Sequence, residues 1–365
     1  MQQYRIEFFD RSMTYVHHDF SVDLSIDDDY IAIQTTTIEI GATDKVEMGQ
    51  FIRILRDEQD YFFGVVSEVS PGEYMTQVTF KPFVSVFDED ILFDTTYQSV
   101  NSVNKSLENT LKKYISETYI NNSDALQNLP LTITVPSSSA NHTFPWGMNL
   151  KSDTEGMNRA IIGLYGVLIV NALKKYGVAI SVTPNFTTKK INLNISKVDD
   201  GMVVDADLDN VTVKTLKVND RPNGVNKLTV YNTQDYSQSI TFYVHASNRD
   251  WDSDNTDRIY PVVRDIKATE PDSEVDPSIA FEWAAINVGY DELNGLEWDN
   301  LIELECAPND PLINPTLLRI GQKITMHYKG GTYTSLLTGK NITLELITLV
   351  FGSERISYTK RKASK

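Results

Sequence analysis

The acidic side chains around residue 252 have a spacing that could bind a metal ion. Asp250, Asp252 and Asp254 alternate along the chain, and a calcium loop places its first oxygen ligands at alternate positions. The pattern then fails twice, because Asn255 stands where such a loop needs glycine and Pro261 where it needs a bidentate glutamate. A solvated acidic loop is therefore the favoured interpretation, and no metal ligand is predicted.

The histidines and the single cysteine form no catalytic motif. The histidines are His17, His18, His142, His245 and His327. None has a partner at the spacing of a His-Glu-x-x-His helix, and adjacent residues on a strand, such as His17 and His18, point to opposite faces. Cys306 lies in an alternating segment, which predicts a small core residue. No Gly-x-Ser-x-Gly elbow or glycine-rich phosphate loop occurs, so the sequence predicts no enzyme, no catalytic residue and no cofactor.

Composition and charge narrow the class of protein. The chain has 365 residues, 41% of them hydrophobic, and a net charge of −17, which predicts a folded protein of several domains. A surface this negative repels phosphate, which argues against sequence-specific binding of DNA but not against a channel through which DNA slides. The N-terminus lacks the apolar run of a signal peptide. The longest apolar run, at 161–173, is shorter than the ~20 residues of a membrane span, so a buried helix is predicted there.

The C-terminal part of the chain consists of short apolar segments separated by turns. The predicted elements are strands at 318–326, 333–337, 342–351 and 353–359, with turns at 329–332 and 338–341. The first turn contains two glycines, which accept the positive φ of a tight hairpin. Short strands joined in this way predict a small antiparallel barrel.

The same plan occurs near the N-terminus. A Gly-Gln pair at 49–50 matches another at 321–322, and alternating apolar residues follow each pair. Tyr61 lies 12 residues after the first glycine, and Tyr333 lies 12 residues after the second. We therefore predict two small antiparallel β-barrels related by internal duplication.

Three helices are predicted between the two barrels. Asn104 can cap a first helix that ends near Tyr119. Residues 152–155 form a capping box for a second helix, and Gly177 supplies its left-handed C-terminal cap. A third helix covers residues 279–290. The fold class is therefore α+β, mostly β, with helix-bearing insert domains.

Several segments together resemble the baseplate hub, or the N-terminal part of the tail-associated lysin, of long-tailed phages and prophages. They are residues 302–305, 310–313, 318–322, 333–339 and 351–359, together with 48–54 and 62–66. The resemblance extends over essentially the whole chain. It implies two barrels side by side in each subunit and a trimer that forms a pseudo-hexameric ring of six barrels.

The resemblance also implies a discontinuous second barrel, which gives a division of the chain. The predicted units are a first hub barrel at 1–95, α+β inserts at 96–205 and 235–300, a second barrel at 206–234 and 301–360, and a basic tail at 361–365. Longer relatives carry a hydrolase after the second barrel, and this chain stops at Lys365 without one. We therefore expect docking and plugging rather than catalysis.

By the same resemblance, the expected location is the tail tip of the virion, after assembly in the bacterial cytoplasm. The expected partners are two further copies, the distal tail protein ring, the tape-measure protein and a receptor-binding protein or spike. DNA would pass through without sequence-specific binding, once host contact opens the channel.

Three alternatives stay open at this point. The chain could be the hub of a contractile tail or injection machine that carries a separate spike. It could be a wall-degrading tail enzyme, because 50 acidic residues always offer carboxylate pairs. It could bind host sugars through exposed Trp146, Trp251 or Trp283.

Overall fold

The computed structural model describes most of the chain. The described residues are 4–21, 24–31, 33–94, 106–137, 159–197, 201–207, 211–217, 225–246, 251–260, 262–271, 279–293, 300–308, 310, 313, 315 and 317–352. Strand residues outnumber helical residues in these segments, which confirms a mostly β fold. The predicted capping box at 152–155, the strand at 353–359 and Asn104 lie outside the described residues.

The strands and helices are numbered here in chain order. The strands are β1 (Tyr4–Phe9), β2 (Tyr15–Ser21), β3 (Ser25–Asp29), β4 (Thr36–Gly41), β5 (Phe51–Arg56), β6 (Gln59–Pro71), β7 (Met75–Pro82), β8 (Asp90–Asp94), β9 (Leu131–Thr134), β10 (Arg159–Gly163), β11 (Val178–Asn185), β12 (Lys190–Lys197), β13 (Gly201–Asp205), β14 (Thr212–Lys217), β15 (Lys227–Asn232), β16 (Ser239–Val244), β17 (Trp251–Asp252), β18 (Arg264–Thr269), β19 (Leu301–Cys306), β20 (Lys323–Tyr328), β21 (Gly331–Thr343) and β22 (Ile347–Phe351). The α-helices are α1 (Leu107–Tyr119), α2 (Val170–Tyr176) and α3 (Ala280–Leu293).

Two large sheets contain the two predicted repeats. The first is six-stranded and antiparallel, in the order β2-β1-β5-β6-β7-β4. The second has the order β13-β20-β21-β22-β19-β14, and β3 from the N-terminal region also pairs with β21. Alternation places Ile38 and Ile40 of β4 inside and Glu39 outside, as a sheet with one buried face requires.

The two large sheets share a hydrophobic core. Ile6 and Ile54 from the first sheet belong to the same buried cluster as Ile302 and Leu349 from the second. A contiguous apolar cluster of this kind stabilises both sheets together, at about 25 cal/mol for each Å² of apolar surface buried.

A second core lies under the segments between the repeats. The sheet β11-β12-β9, the ribbon β8-β10, α1 and α2 surround it, and a 3-10 helix at Phe83–Phe87 contributes Phe83 and Phe87. A third, smaller core forms between α3 and the four-stranded sheet β17-β16-β15-β18. Helices α1, α2 and α3 thus lie in the segments between β7 and β20.

The helix predictions succeed at two places and fail in part at the third. Helix α1 is capped by Ser106, whose side chain accepts from the Asn109 N–H at 3.2 Å, and α3 is confirmed. The predicted second helix is wrong over its first half, because Ile161 lies on β10 and pairs with Leu92 of β8. Adjacent β-branched isoleucines favour this extended conformation. A π-helical segment at Leu164–Ile169 precedes α2, and Gly177 forms the predicted left-handed cap.

One predicted turn is part of a strand instead. The predicted turn at 338–341 lies within β21, which continues through a bulge between Leu337 and Gly339. Residues 27–29 belong to β3, where Asp29 pairs with Gly339. A Cβ at Gly339 would lie 3.1 Å from the Asp28 carbonyl, so glycine permits this close approach of β3.

The second sheet takes different strands from those predicted at 206–234. Strand β14 joins it as expected, by pairing with β19. Strand β15 instead pairs with β16 and β18, and β13, which was predicted to lie in an insert, pairs with β20. The strand assignment at 227–232 is therefore corrected, since Leu228 and Val230 bury their side chains against α3.

Candidate assembly surface

Two glycines begin the same local structure in the two large sheets. Gly49 and Gly321 each have a φ of +85°, which glycine adopts without the steric cost of a side chain. The Gly49 N–H donates to the Val66 carbonyl at 2.8 Å, and the Gly321 N–H donates to the Leu337 carbonyl at 2.8 Å. The two positions therefore correspond in backbone hydrogen bonds as well as in sequence.

The neighbouring residues repeat the pattern. The matching backbone bonds are Gln50 N–H to Glu47 O (3.3 Å) and Gln322 N–H to Arg319 O (3.0 Å), then Val66 N–H to Gln50 O (2.9 Å) and Leu337 N–H to Gln322 O (2.9 Å). Each unit continues into a two-residue turn with positive φ at both positions, at Asp57 and Glu58 and at Lys329 and Gly330. We call strands β5–β7 the first repeat and strands β20–β22 the second repeat.

The long middle strands of the repeats also correspond. β6 and β21 each have 13 residues. β6 is bulged between Val66 and Glu68, and β21 between Leu337 and Gly339. Beyond the bulges the offset is 339 − 68 = 271, so the hairpin end at 72–75 corresponds to that at 343–346. We call these the first tip and the second tip.

The second tip is held by the first large sheet of the same chain. The Tyr4 hydroxyl donates to the Thr343 carbonyl at 2.7 Å, and the Arg56 guanidinium donates to the Leu344 carbonyl at 2.5 Å. Arg56 is only 8% exposed and lies over the Tyr4 ring. Because Arg56 is the last residue of β5, the β5–β6 turn of one repeat contacts the tip of the other.

The side chain of Lys340, in the second repeat, binds the backbone of the segment at 315–318. Its ammonium donates to the carbonyls of Pro315 (2.9 Å) and Leu318 (2.7 Å), and β3 places Asp28 directly opposite. Burial lowers the pKa of Lys340 to about 8, against the attraction of Asp28. Burial likewise raises the pKa of Asp28 to about 6, against the attraction of Lys340. The pair is structural, since both groups are used within the chain.

In the described structure the first tip receives no such bonds from the second large sheet, although its Tyr74 carbonyl accepts from the Ala42 N–H at 3.2 Å. Residues 68 and 70–73 are exposed, whereas the corresponding 339 and 341–344 are buried or half-buried; the last two positions of each tip, 74–75 and 345–346, are exposed in both. Next to them, Tyr74 is 78% exposed and Met75 is 46% exposed. Sequence reasoning missed this surface, although a tyrosine in a Gly-Glu-Tyr turn was the signal that could have found it.

The acidic loop uses its carboxylates locally. Asp252 accepts from the Asp254 N–H at 2.6 Å and binds His245 at 3.0 Å. Asp254 accepts from both the N–H and the hydroxyl of Thr256 at 2.9 Å, which lowers its pKa. Asp250 lies outside the described residues, and no three acidic, histidine or cysteine side chains gather within the described part of the chain.

The remaining candidate residues lie in ordinary packing environments. Cys306 is buried, its thiol approaches the Ile347 carbonyl at 3.6 Å, and burial raises its pKa to about 12. On β2, His17 is half-buried opposite Phe8 and His18 is exposed opposite Glu7. Burial lowers the pKa of His17.

The two described tryptophans proposed for sugar binding belong to the third core or to the helix that covers it. Trp251 packs edge-on against Phe242 at 5.0 Å, with Gly289 of α3 beneath it. Trp283 is half-buried on α3, and Trp146 lies outside the described residues. Trp251 is therefore part of the third core rather than an exposed stacking platform.

Solved structures share this arrangement along nearly the whole chain. The 43 kDa tail protein of prophage MuSo2 from Shewanella oneidensis is 12% identical, with a TM-score of 0.50, covering 95% of this chain and 98% of the other. A tail protein from Neisseria meningitidis is 10% identical, with a TM-score of 0.51, covering 96% of each chain. The chain has a tail-protein fold. No protein-family model and no curated protein sequence matches it.

No helix within the described segments is both long and apolar enough to cross a membrane. The chain thus has a tail-protein fold, and the described features of its surface are packing contacts, hairpin tips and exposed apolar side chains. Such features suit assembly with other protein chains.

Proposed function

We propose that this chain is a structural baseplate hub at the tail tip of a phage, acting as a trimer without enzymatic activity. The observation that carries the proposal is the repetition of one hairpin unit, bond for bond, in two sheets of a chain with a tail-protein fold. Each repeat is proposed to close into a barrel, so that the chain presents two similar units.

The duplication relates a ring of three copies to the six-fold symmetry of a phage tail. A ring with three-fold symmetry that carries two similar units in each copy presents six similar contacts. It therefore matches the six-fold distal tail ring, which the proposal takes as the docking partner. The same ring is proposed to seat the tape-measure protein and to close the channel until host contact opens it.

The charge of the chain agrees with a channel for DNA. At a net charge of −17, the protein offers few sites to which phosphates would adhere. DNA is therefore proposed to pass without sequence-specific binding, and the protein to be located in the virion.

Immunogold electron microscopy of particles induced from the bacterium that encodes the chain tests the location. Gold at the distal end of the tail supports the proposal, and gold on the capsid or on no particle contradicts it. A spike protein that co-purifies with the chain would favour the contractile-tail alternative. Zymography on peptidoglycan tests the enzymatic alternative, and clearing that is lost when a carboxylate pair is replaced would contradict the non-enzymatic assignment.

A further inference from the structure

The contact between the β5–β6 turn and the second tip within one chain suggests how two copies of the chain could bind each other. The β5–β6 turn of the first repeat contributes Arg56 to the carbonyl of Leu344 in the second tip. The corresponding turn of the second repeat follows Tyr328, the last residue of β20 as Arg56 is of β5. The corresponding tip of the first repeat is residues 72–75.

Both of these corresponding surfaces are exposed. Lys329 and Gly330 form an exposed β20–β21 turn, and Glu73 stands exposed at the first tip. Val203, on the edge strand β13 beside β20, is 71% exposed. The chain therefore has one turn-to-tip contact made and the two halves of a second such contact at its surface.

We propose that the first tip of one copy binds the β20–β21 turn of a second copy of this chain. The carbonyls of Gly72 and Glu73 stand where those of Thr343 and Leu344 accept hydrogen bonds from Tyr4 and Arg56. In the second copy, the donors are the hydroxyl of Tyr328 and the ammonium of Lys329, which contact each other within that copy and would use their remaining protons across the contact.

Charge and apolar surface both support this occupant. The carboxylate of Glu73, with Asp44 near the same end of the sheet, would face a turn that carries the Lys329 ammonium, whose backbone N–H is already bound by Asp207 at 2.7 Å. The exposed Tyr74 side chain gains an apolar neighbour in Val203 or in the Tyr328 ring. Complementary charge around an aromatic side chain is the usual composition of a specific protein contact.

The sequence also limits the kind of contact. In the second repeat, β3 adds to the edge of β21, and Ile26 pairs with Ile342. Pro71 stands at the position that corresponds to Ile342, and proline has no N–H to donate to an added strand. The second copy therefore binds through a turn and side chains rather than through a full added strand.

A turn-to-tip contact is heterologous, since each copy uses a different surface at its two ends. Contacts of this kind close into rings when the rotation allows it. The number of copies, three, rests on the proposed hub function, whereas the identity of the contacting surfaces rests on the repeats alone.

Light scattering on a sizing column, over a range of concentrations, measures the assembly. We expect the wild-type chain to approach three times 41.3 kDa. Glu73→Lys and Lys329→Glu should each raise the concentration at which half of the trimer dissociates by roughly tenfold or more. The double variant restores attraction across the contact and should recover the wild-type mass. The controls Glu282→Lys and Lys190→Glu, which reverse exposed charges elsewhere, should assemble as the wild type does.

A second experiment tests the aromatic side chain. Tyr74→Ser should weaken the trimer to a similar degree. The matched control is Tyr236→Ser, because Tyr236 is a 66% exposed tyrosine in the insert, and it should leave the mass unchanged.

A covalent test remains decisive if the wild-type chain is monomeric in solution. A Glu73→Cys/Lys329→Cys variant at high concentration should form cross-linked oligomers on oxidation, while each single variant should not. Absence of cross-links together with a monomeric wild type overturns the proposed contact. A wild-type trimer that both charge reversals leave intact would overturn this contact but not the hub function. Conversely, absence of gold labelling at the tail tip would contradict the hub function and would not test this contact.

Discussion

Gly49 and Gly321 occupy corresponding positions, but the space around their Cα atoms differs. Both have a φ of +85°, so any other residue would adopt a strained left-handed conformation. A Cβ on Gly49 would meet nothing within 4 Å, whereas one on Gly321 would lie 3.2 Å from Leu173 and 3.3 Å from Ala179. The second glycine is therefore constrained by packing as well as by backbone conformation.

Alanine at the two glycines should separate these two effects. Gly49→Ala should lower the free energy of unfolding by about 1 kcal/mol, the cost of the left-handed conformation. Gly321→Ala should lower it by a further 1 kcal/mol or so, because the added methyl group overpacks the contact with α2. Urea unfolding measures both. Equal losses for the two variants would contradict the role assigned to packing.

Asp28 and Lys340 give the fold a specific pH response. The pKa of Asp28 is raised by burial from 3.8 to about 6, so the folded chain binds this proton more readily than the unfolded chain. The contribution of Asp28 therefore becomes more favourable as the pH falls from about 6 towards 4. The pKa of Lys340 is lowered to about 8, so its contribution becomes more favourable as the pH rises above 8.

Asp28→Asn should remove the acidic part of this response. Relative to the variant, the wild-type free energy of unfolding should increase by up to ~3 kcal/mol between pH 7 and pH 4, since one unit of pKa shift corresponds to about 1.4 kcal/mol. Urea unfolding of both proteins across this range measures the difference. A difference that stays constant with pH would show that Asp28 does not titrate as described.

At the scale of elements, a close approach of helix and sheet holds the third core together. A Cβ on Gly289 of α3 would lie 2.5 Å from the indole of Trp251, which packs in turn on Phe242. A glycine inside a helix ordinarily weakens it relative to alanine. Here its absence of a side chain lets α3 lie against β17.

Gly289→Ala should therefore destabilise the four-stranded sheet despite the higher helix propensity of alanine. We expect a loss of about 1–3 kcal/mol from overpacking, measured by thermal unfolding followed by tryptophan fluorescence. Gly166→Ala is the matched control, because a Cβ there would meet nothing within 4 Å. A Gly289 variant as stable as the control would mean that the indole moves aside freely.

At the scale of the whole molecule, the described carboxylates of the acidic loop have hydrogen-bond partners within the chain. Asp252 and Asp254 accept hydrogen bonds from their own loop. A calcium ion would have to compete with these bonds and would lack the bidentate ligand that such loops use.

Calcium should therefore leave the thermal midpoint of the protein unchanged. The measurement compares unfolding in about 1 mM calcium, a concentration that saturates typical extracellular sites, with unfolding in EDTA. Magnesium at the same concentration is the control for ionic strength. A rise in the midpoint with calcium but not with magnesium would identify a calcium site that involves residues other than Asp252 and Asp254.

The predictions from sequence succeeded where local sterics decide conformation. Glycines at positions that need a positive φ, the turn before β21, the cap at Gly177 and the alternating strand that buries Cys306 are all determined by residues close together in the chain. The corresponding turns at 49–50 and 321–322 were predictable for the same reason, because they depend on local turn chemistry.

Only the tertiary structure decided which strand lies beside which. Strand β3 crosses to the second sheet and makes Lys340 an internal anchor, and Ile161 pairs with Leu92 instead of continuing a helix. Strand pairing depends on the burial of side chains that can be hundreds of residues apart, and local propensity carries little information about that choice. The exposure of residues 70–73 in the first tip was also decided only by the tertiary structure. It becomes apparent by comparison with the second tip, which the same chain partly covers.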